Sequence, residues 1–316
     1  MKRFLVALPL ALPVLLYCGG YHFPFSNDGL IPTANASPAG STEIEPGIWR
    51  QEVRLRDKGD APRVWIYRPL AAMGRNLKQK FPCVFIGPSG TTVTSGAALS
   101  DHQSDTHTPY ARAGMIVVAY ELDGLADDQA QAARGFERAR MGLRNSHAAI
   151  SYALKHIQGV DSTRLFAVGH SSGGTIALQT AEYDPRIRAC VAFAPACNFS
   201  FPEAGGGVFE NAAQQEAAVP GFSAFLKTMM PQTNVARIKC PLFLFSADDD
   251  NIVSGAEVQG FARAAQQAGV NLTFMRVPHG GHTQGMHDVG IPAAIQWLQK
   301  IPFNTAKVQP ATGSAG

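Results

Sequence analysis

One short stretch carries a nucleophile's signature. "AVGHSSGGT", residues 167–175, sets two serines between glycines. The apolar run Leu165 to Val168 reads as a strand, and the chain from Thr175 onward reads as a helix. A serine on so sharp a strand-to-helix turn lifts its hydroxyl above the sheet. The crowding there requires small residues two positions before and two after it. Ser171 has Gly169 and Gly173 in those places, whereas Ser172 would have the bulky His170. The spacing therefore selects Ser171. Ser172 then offers its backbone N–H at the start of a helix, where free donors and the dipole favour negative charge. A glycine-rich turn kept only for tight packing is the competing reading.

A serine hydroxyl needs a base to take its proton. "RVPHGGHTQGM" supplies His279 and His282 after an apolar strand-like run, and His282, in a Gly-Gly-His loop, is the better placed to turn inward. The base in turn needs an acid that fixes its tautomer. "LFLFSADDDNIV" ends a strand with Asp248, Asp249 and Asp250. Asp250 is the chosen partner and Asp249 the second choice. The remaining acids are expected to be solvated or to cap the next helix.

These groups must be carried by strand ends. "VWIYRP" (64–69), "PCVFIGPSG" (82–90), "GMIVVAYELDG" (114–124), "RACVAFAP", "CPLFLFSADD" and "NLTFMRVP" are apolar throughout rather than alternating. They are interleaved with helical patterns: Leu143, His147, Ile150, Leu154 and Ile157; Val258, Phe261, Ala262 and Ala265; and Ile291, Ala294, Ile295 and Leu298, with Pro292 in a tolerated first-turn position. Such alternation predicts a mainly parallel sheet covered on both faces, with ligands bound beyond the carboxyl ends of its strands. Residues 198–235 interrupt the pattern and are expected to form a cap. Phe199, Phe201, Phe209, Phe222, Phe225, Met229 and Met230 within it either line an acyl or aromatic pocket or pack the cap onto the body. Glu121 and Asp123 end a strand and are candidates for substrate contact. His102, His107, Asp101 and Asp105 share a polar stretch read as a loop. No clustered ligand pattern appears, and no metal or cofactor is expected.

The chain resembles the α/β-hydrolase superfamily. "GHSSGG", "SADDDNIV" and "GGHTQG" each sit at a strand end, in the order Ser, Asp, His. Within it, "VDSTRLFAVGHSSGG" is similar to the lead-in of dienelactone-hydrolase-like and prolyl-oligopeptidase-like catalytic domains. The resemblance runs from Trp49 to Ile301. It implies an eight-stranded, mostly parallel sheet and Ser171, Asp250 and His282 as a catalytic triad. One departure is the loop after the third strand of that fold, where relatives carry His-Gly-Gly or His-Gly-x-x-Gly and this chain has "FIGPSGTT". Thr91 is the expected second oxyanion donor beside Ser172, with Ser89 and Thr92 as alternatives. The expected activity is carboxylic-ester hydrolysis through an acyl-enzyme on a small-molecule substrate. Peptidases of the prolyl-oligopeptidase kind usually carry a large N-terminal β-domain, for which there is no room before the first strand. A serine nucleophile also disfavours dehalogenase and epoxide-hydrolase chemistry. Peptide cleavage or acyl transfer by the same triad, and a non-catalytic hydrolase-like binding protein, remain alternatives.

Bulk composition agrees with one globular domain over 46–302. The chain has 316 residues, 46% hydrophobic and 16% charged, with a net charge of +3 and no Lys/Arg run to bind nucleic acid. Lys2 and Arg3 precede an apolar run from Phe4 to Tyr17. That run is too short to span about 30 Å of bilayer at about 1.5 Å per residue. It reads as an export signal within residues 1–36, cleaved near Ala36, lipidated at Cys18 or kept as a membrane anchor. Residues 28–46 look like a linker and 304–316 like a disordered tail. Cys83, Cys190 and Cys240 read as buried small hydrophobes, with a Cys190–Cys240 bridge conceivable in an exported protein.

Overall fold

The fold is built on the apolar runs. In the computed structural model, which describes residues 40–55, 62–74, 77–90, 94–198 and 216–302, nine strands form one sheet. They are β1 (Ser41–Glu45), β2 (Ile48–Arg54), β3 (Arg63–Pro69), β4 (Phe81–Ile86), β5 (Ile116–Tyr120), β6 (Val160–His170), β7 (Ala189–Phe193), β8 (Leu242–Ala247) and β9 (Leu272–Val277), in the order β1-β2-β3-β5-β4-β6-β7-β8-β9. The first three pairings are antiparallel and the six strands from β5 to β9 run parallel. The sheet thus has nine strands where the family resemblance implies eight. β1 falls inside the stretch expected to be a linker. Its sequence, STEIE, has no apolar run to betray it, and it joins the edge by backbone pairing through a turn at Gly47, whose φ is +77°.

Both faces are covered, which is why the central strands read as continuous apolar runs. Cys83, Phe85, Leu165, Ala167, Cys190 and Leu244 point to one face. That face packs against helices α2 (Gln129–Arg138), α3 (Leu143–His156), α4 (Ser172–Tyr183), α5 (Phe222–Met229) and α6 (Gly255–Gln267). Val84, Ile86, Phe166, Val168, Val191 and Phe245 point to the other, under α1 (Ser104–Arg112) and α7 (Ile291–Lys300). All four expected apolar positions of α6 and of α7 are buried. In α3 the buried apolar residues are Leu143, Ala149, Ile150 and Ala153, beside the buried Asn145 and Ser146, and Leu154 stays exposed. The helical stretch after β5 is two helices, broken where Arg140, Met141 and Gly142 all take positive φ.

One expectation is corrected here and two open readings are decided. The polar stretch around His107 is not a loop: α1 begins at Ser104 and buries His107 against Tyr67, Nδ1 to Oη 3.1 Å. Its core side is His107, Thr108, Tyr110 and Ala111, so no stripe of large aliphatic residues announces it. Cys83, Cys190, Cys197 and Cys240 are free buried thiols, and Cys190 and Cys240 are unbridged. Within the expected cap, Phe222, Met229 and Met230 are buried in the core they share with α4, where Gln179 Nε2 donates to Met229 O at 2.6 Å. These three side chains pack the segment onto the body. Phe199, Phe201 and Phe209 lie outside the described residues, as do the expected signal and the tail.

Near the end of α4, Glu182 is buried with neither carboxyl oxygen partnered among the described residues. Burial pushes its pKa up to about 9, so the folded chain holds this proton at neutral pH. The unfolded chain releases it above the ordinary carboxylate value of 4.5. The folded state therefore binds the extra proton between these limits and loses stability as pH rises through that window, by about 1.4 kcal/mol per unit. Glu182→Leu is expected to stabilise the protein by a few kcal/mol more at pH 8 than at pH 5. Denaturant titrations at the two pH values check this, and equal gains would refute it.

Candidate active site

The end of β6 carries the elbow. Ser171 has φ 55° and ψ −125°, a conformation that costs a non-glycine residue about 1–3 kcal/mol. Its neighbours hold it there: Ser171 N–H donates to Phe193 O on β7 at 2.9 Å, and Ser171 O accepts from Thr175 N–H at 3.0 Å. A Cβ on Gly169 would lie 2.0 Å from Gly173 O, and one on Gly173 would lie 2.6 Å from Gly87 O. Both flanking positions are therefore restricted to glycine. The strained serine is Ser171, as the spacing requires. Ser172 is buried as the first residue of α4.

The three aspartates after β8 have three different partners. Asp248 pairs with Arg276 of β9. Asp249 accepts from the amides of Gly280 (3.2 Å) and Gly281 (2.8 Å). Asp250 turns inward. Its Oδ1 accepts from Ile252 N–H (2.8 Å) and Val253 N–H (3.0 Å), and its Oδ2 meets His282 Nδ1 at 2.8 Å. Burial acts to raise the Asp250 carboxyl, but the His282 bond and the two amides outweigh it and hold the group below the usual carboxylate range. A carboxylate so placed requires the proton on Nδ1 of His282, which leaves Nε2 free to accept. His282 is 15% exposed, whereas His279 is 86% exposed and lies 3.6 Å from Asp249. The structure thus joins the preferred acid to the preferred base.

The loop that bears His282 abuts the elbow. His170 Nε2 lies 2.8 Å from His282 O, and the two rings are 4.6 Å apart. On the other side stands the loop after β4. Gly90 takes φ +79°, and Gln103 Nε2 holds Ser89 O at 3.0 Å. Thr91 and its alternative Thr92 lie outside the described residues. Beneath the elbow, Gly87, Ser89, Gln103, His107 and His170 help line a cavity of about 20 Å³, room for about one water. Burial lowers His107 to about 3 and His170 to about 4, so both are neutral.

Glu121 plays a structural part. It is buried, and its carboxylate takes Arg63 N–H (2.8 Å), Arg63 Nε (2.8 Å) and Nη2 (2.6 Å), and Leu99 N–H (3.2 Å). Those four donors tie β3 to the strand beside it and occupy the oxygens a substrate would need. Asp123 N–H donates to Asn145 Oδ1 at 3.2 Å. Among the described residues no group of three or more His, Cys, Asp or Glu is placed to hold a metal ion, and no helix is long and apolar enough to cross a membrane. The parts played by His170, Asp249 and Gln103 went unread in the sequence. The only hint was their adjacency to residues with a chemical role or to the glycine-rich loops.

A parallel sheet flanked on both faces, a serine on a left-handed elbow after one strand, and an acid and a histidine after two later strands define an α/β-hydrolase. Residues 94–286 match the model of the dienelactone hydrolase family, and the chain belongs to that family. Solved structures agree with the fold. A Klebsiella pneumoniae chain proposed to be a dienelactone hydrolase aligns with TM-score 0.58 and 16% identity, over 80% of this chain and 99% of that one. An acetyl ester-xyloside bifunctional hydrolase from Caldicellulosiruptor lactoaceticus aligns with TM-score 0.58 and 17% identity, over 79% and 95%. A puromycin-hydrolysing peptidase from Mycobacterium tuberculosis gives TM-score 0.63 and 18% identity, over 83% of this chain but only 40% of that one. A comparison with curated proteins finds no match. The protein is a hydrolase of this family.

Proposed function

We propose that the protein is a serine hydrolase that cleaves carboxylic esters of small molecules through an acyl-enzyme. The observation that carries the reading is the Asp250–His282 bond set beside an elbow whose only strained non-glycine residue is a serine. Ser171 Oγ attacks the ester carbonyl as His282 Nε2 takes its proton. Asp250 holds the imidazole in the right tautomer and faces the imidazolium that forms. The oxyanion is met by the N–H of Ser172, at the start of α4, and by an amide of the loop after β4, with Thr91 the proposed donor. Collapse breaks the C–O bond, and the alcohol leaves with the proton from His282. Water, activated by the same base, releases the acid and regenerates Ser171. No step calls for a metal or cofactor. The apolar start of the chain adds a proposal of export to the periplasm, the exterior or a membrane tether.

The test is an ester panel read beside peptide amides and alcohol acceptors, with a fluorophosphonate to tag the nucleophile. Turnover of short p-nitrophenyl esters is expected, with the tag on the tryptic peptide spanning residues 165–186 and on Ser171 within it. Faster amide cleavage would favour a peptidase. Product dominated by transesterification would favour an acyltransferase. A protein that neither turns over nor labels is not a serine hydrolase.

A further inference from the structure

The base needs more than its acid partner to stay in register with the nucleophile. Asp250 fixes Nδ1 of His282, but the backbone beneath that ring runs through Gly280 and Gly281, with φ +135° and +56°. Such glycines leave the loop free to swing unless something ties it. Asp249 ties the amides of Gly280 and Gly281 to the end of β8. A further tie comes from the elbow itself. His170, the residue before Ser171, points its Nε2 at the carbonyl oxygen of His282, 2.8 Å away, with its ring 4.6 Å from the ring of His282.

A carbonyl only accepts, so the proton of a neutral His170 sits on Nε2 and its Nδ1 is bare. Neutrality is secured by the surroundings. The ring is partly buried beside His282, with Asp250 and His287 also near and His107, Ser89 and Gln103 lining the same cavity. Burial dominates, and the nearby histidines reinforce it against the bond to the His282 carbonyl and the charge of Asp250, which act the other way. A neutral ring does not repel the imidazolium that forms on His282 during turnover.

We propose that His170 is a positioning residue: by donating from Nε2 to the backbone carbonyl of His282, it locks the loop of the base to the turn of the nucleophile. The proposal rests on Ser171 and His282 acting as nucleophile and base. Misplacement by about 1 Å at such a site costs about a hundredfold in rate.

Two variants separate the hydrogen bond from the packing. His170→Phe keeps a ring but has no donor. His170→Gln places an amide N–H at nearly the reach of Nε2. Turnover is counted per fluorophosphonate-labelled site, which removes the effect of any misfolded fraction. For His170→Phe, kcat per site is expected to fall ten- to a hundredfold, with KM within about threefold. His170→Gln is expected to recover most of that loss. A Phe variant at the wild-type rate per site, or a Gln variant as impaired as Phe, overturns the proposal. A second readout does not depend on activity: the low-field proton resonance of the His282–Asp250 bond. It is expected in the wild type and in His170→Gln, and broadened or absent in a folded His170→Phe. Its persistence unchanged in the Phe variant also overturns the proposal. If Phe does not fold, His170→Ala takes its place in both comparisons. A wild type that neither labels nor turns over, yet shows this pattern of resonances, refutes the enzymatic reading and leaves the positioning contact intact.

Discussion

Ser171→Ala is expected to lower ester turnover by a factor of about 10⁴–10⁶, while Ser172→Ala stays within a few-fold of wild type. The two serines are neighbours, but their backbones differ. Ser171 alone holds the strained φ of 55° that lifts its hydroxyl off the end of β6. Ser172 is buried at the first position of α4, and its proposed contribution comes from an N–H that alanine retains. Removing the hydroxyl of Ser171 removes the attacking atom, and water held by the remaining machinery is a far weaker substitute. Alanine also tolerates the elbow no worse than serine, so the fold survives and the loss is chemical. Initial rates with a p-nitrophenyl ester, together with a circular dichroism melt, check both halves. Full loss in Ser172→Ala with activity kept in Ser171→Ala would place the nucleophile in the other register.

Asp250→Asn is expected to cost about 10⁴ in kcat with little change in the fold. The argument turns on which way the amide faces. Oδ1 of Asp250 accepts from Ile252 and Val253 N–H, so an asparagine keeps its oxygen there and turns its NH₂ toward His282. That NH₂ donates to Nδ1, which forces the proton of the ring onto Nε2. The imidazole then cannot take the serine proton. Asp249→Asn makes the contrast. It weakens two hydrogen bonds to the loop at Gly280 and Gly281 but leaves the tautomer of His282 alone. A loss of no more than about tenfold is expected for it. Equal losses in the two variants, measured as kcat at pH 8, would show that the acid acts only by holding the loop.

Much of this was legible because crowding speaks through residue size. Glycine two before and two after Ser171 is a requirement of the turn, and the contacts at Gly169 and Gly173 show why. The buried parallel strands were equally plain, since strands covered on both faces have no polar positions to disguise them. What stayed hidden lacked an apolar signal. β1 pairs at the sheet edge through its backbone and offers STEIE. α1 buries His107, Thr108, Tyr110 and Ala111, a face that no hydrophobic period marks. The break between α2 and α3 falls at Arg140 and Met141, residues whose types do not announce the positive φ they adopt. The three aspartates look alike in sequence. Only the placement of β9 beside β8 decides that Asp248 meets Arg276, Asp249 the glycine loop and Asp250 the histidine.

The position of β9 also bears on how the protein fails. It is the last strand of the sheet, paired among the described residues with β8 alone, and all six of its residues are at least partly open to solvent. His282 lies in the loop that follows it, five residues past its end. Edge segments of this kind separate from the body at a fraction of the free energy that global unfolding takes. A transient parting of β9 from β8 would carry off the proposed base and leave the serine on an otherwise intact sheet. The chain in that state is folded by any spectroscopic measure of its core and chemically silent. The working lifetime of the enzyme is then expected to follow the fraying of one margin rather than the melting of its centre.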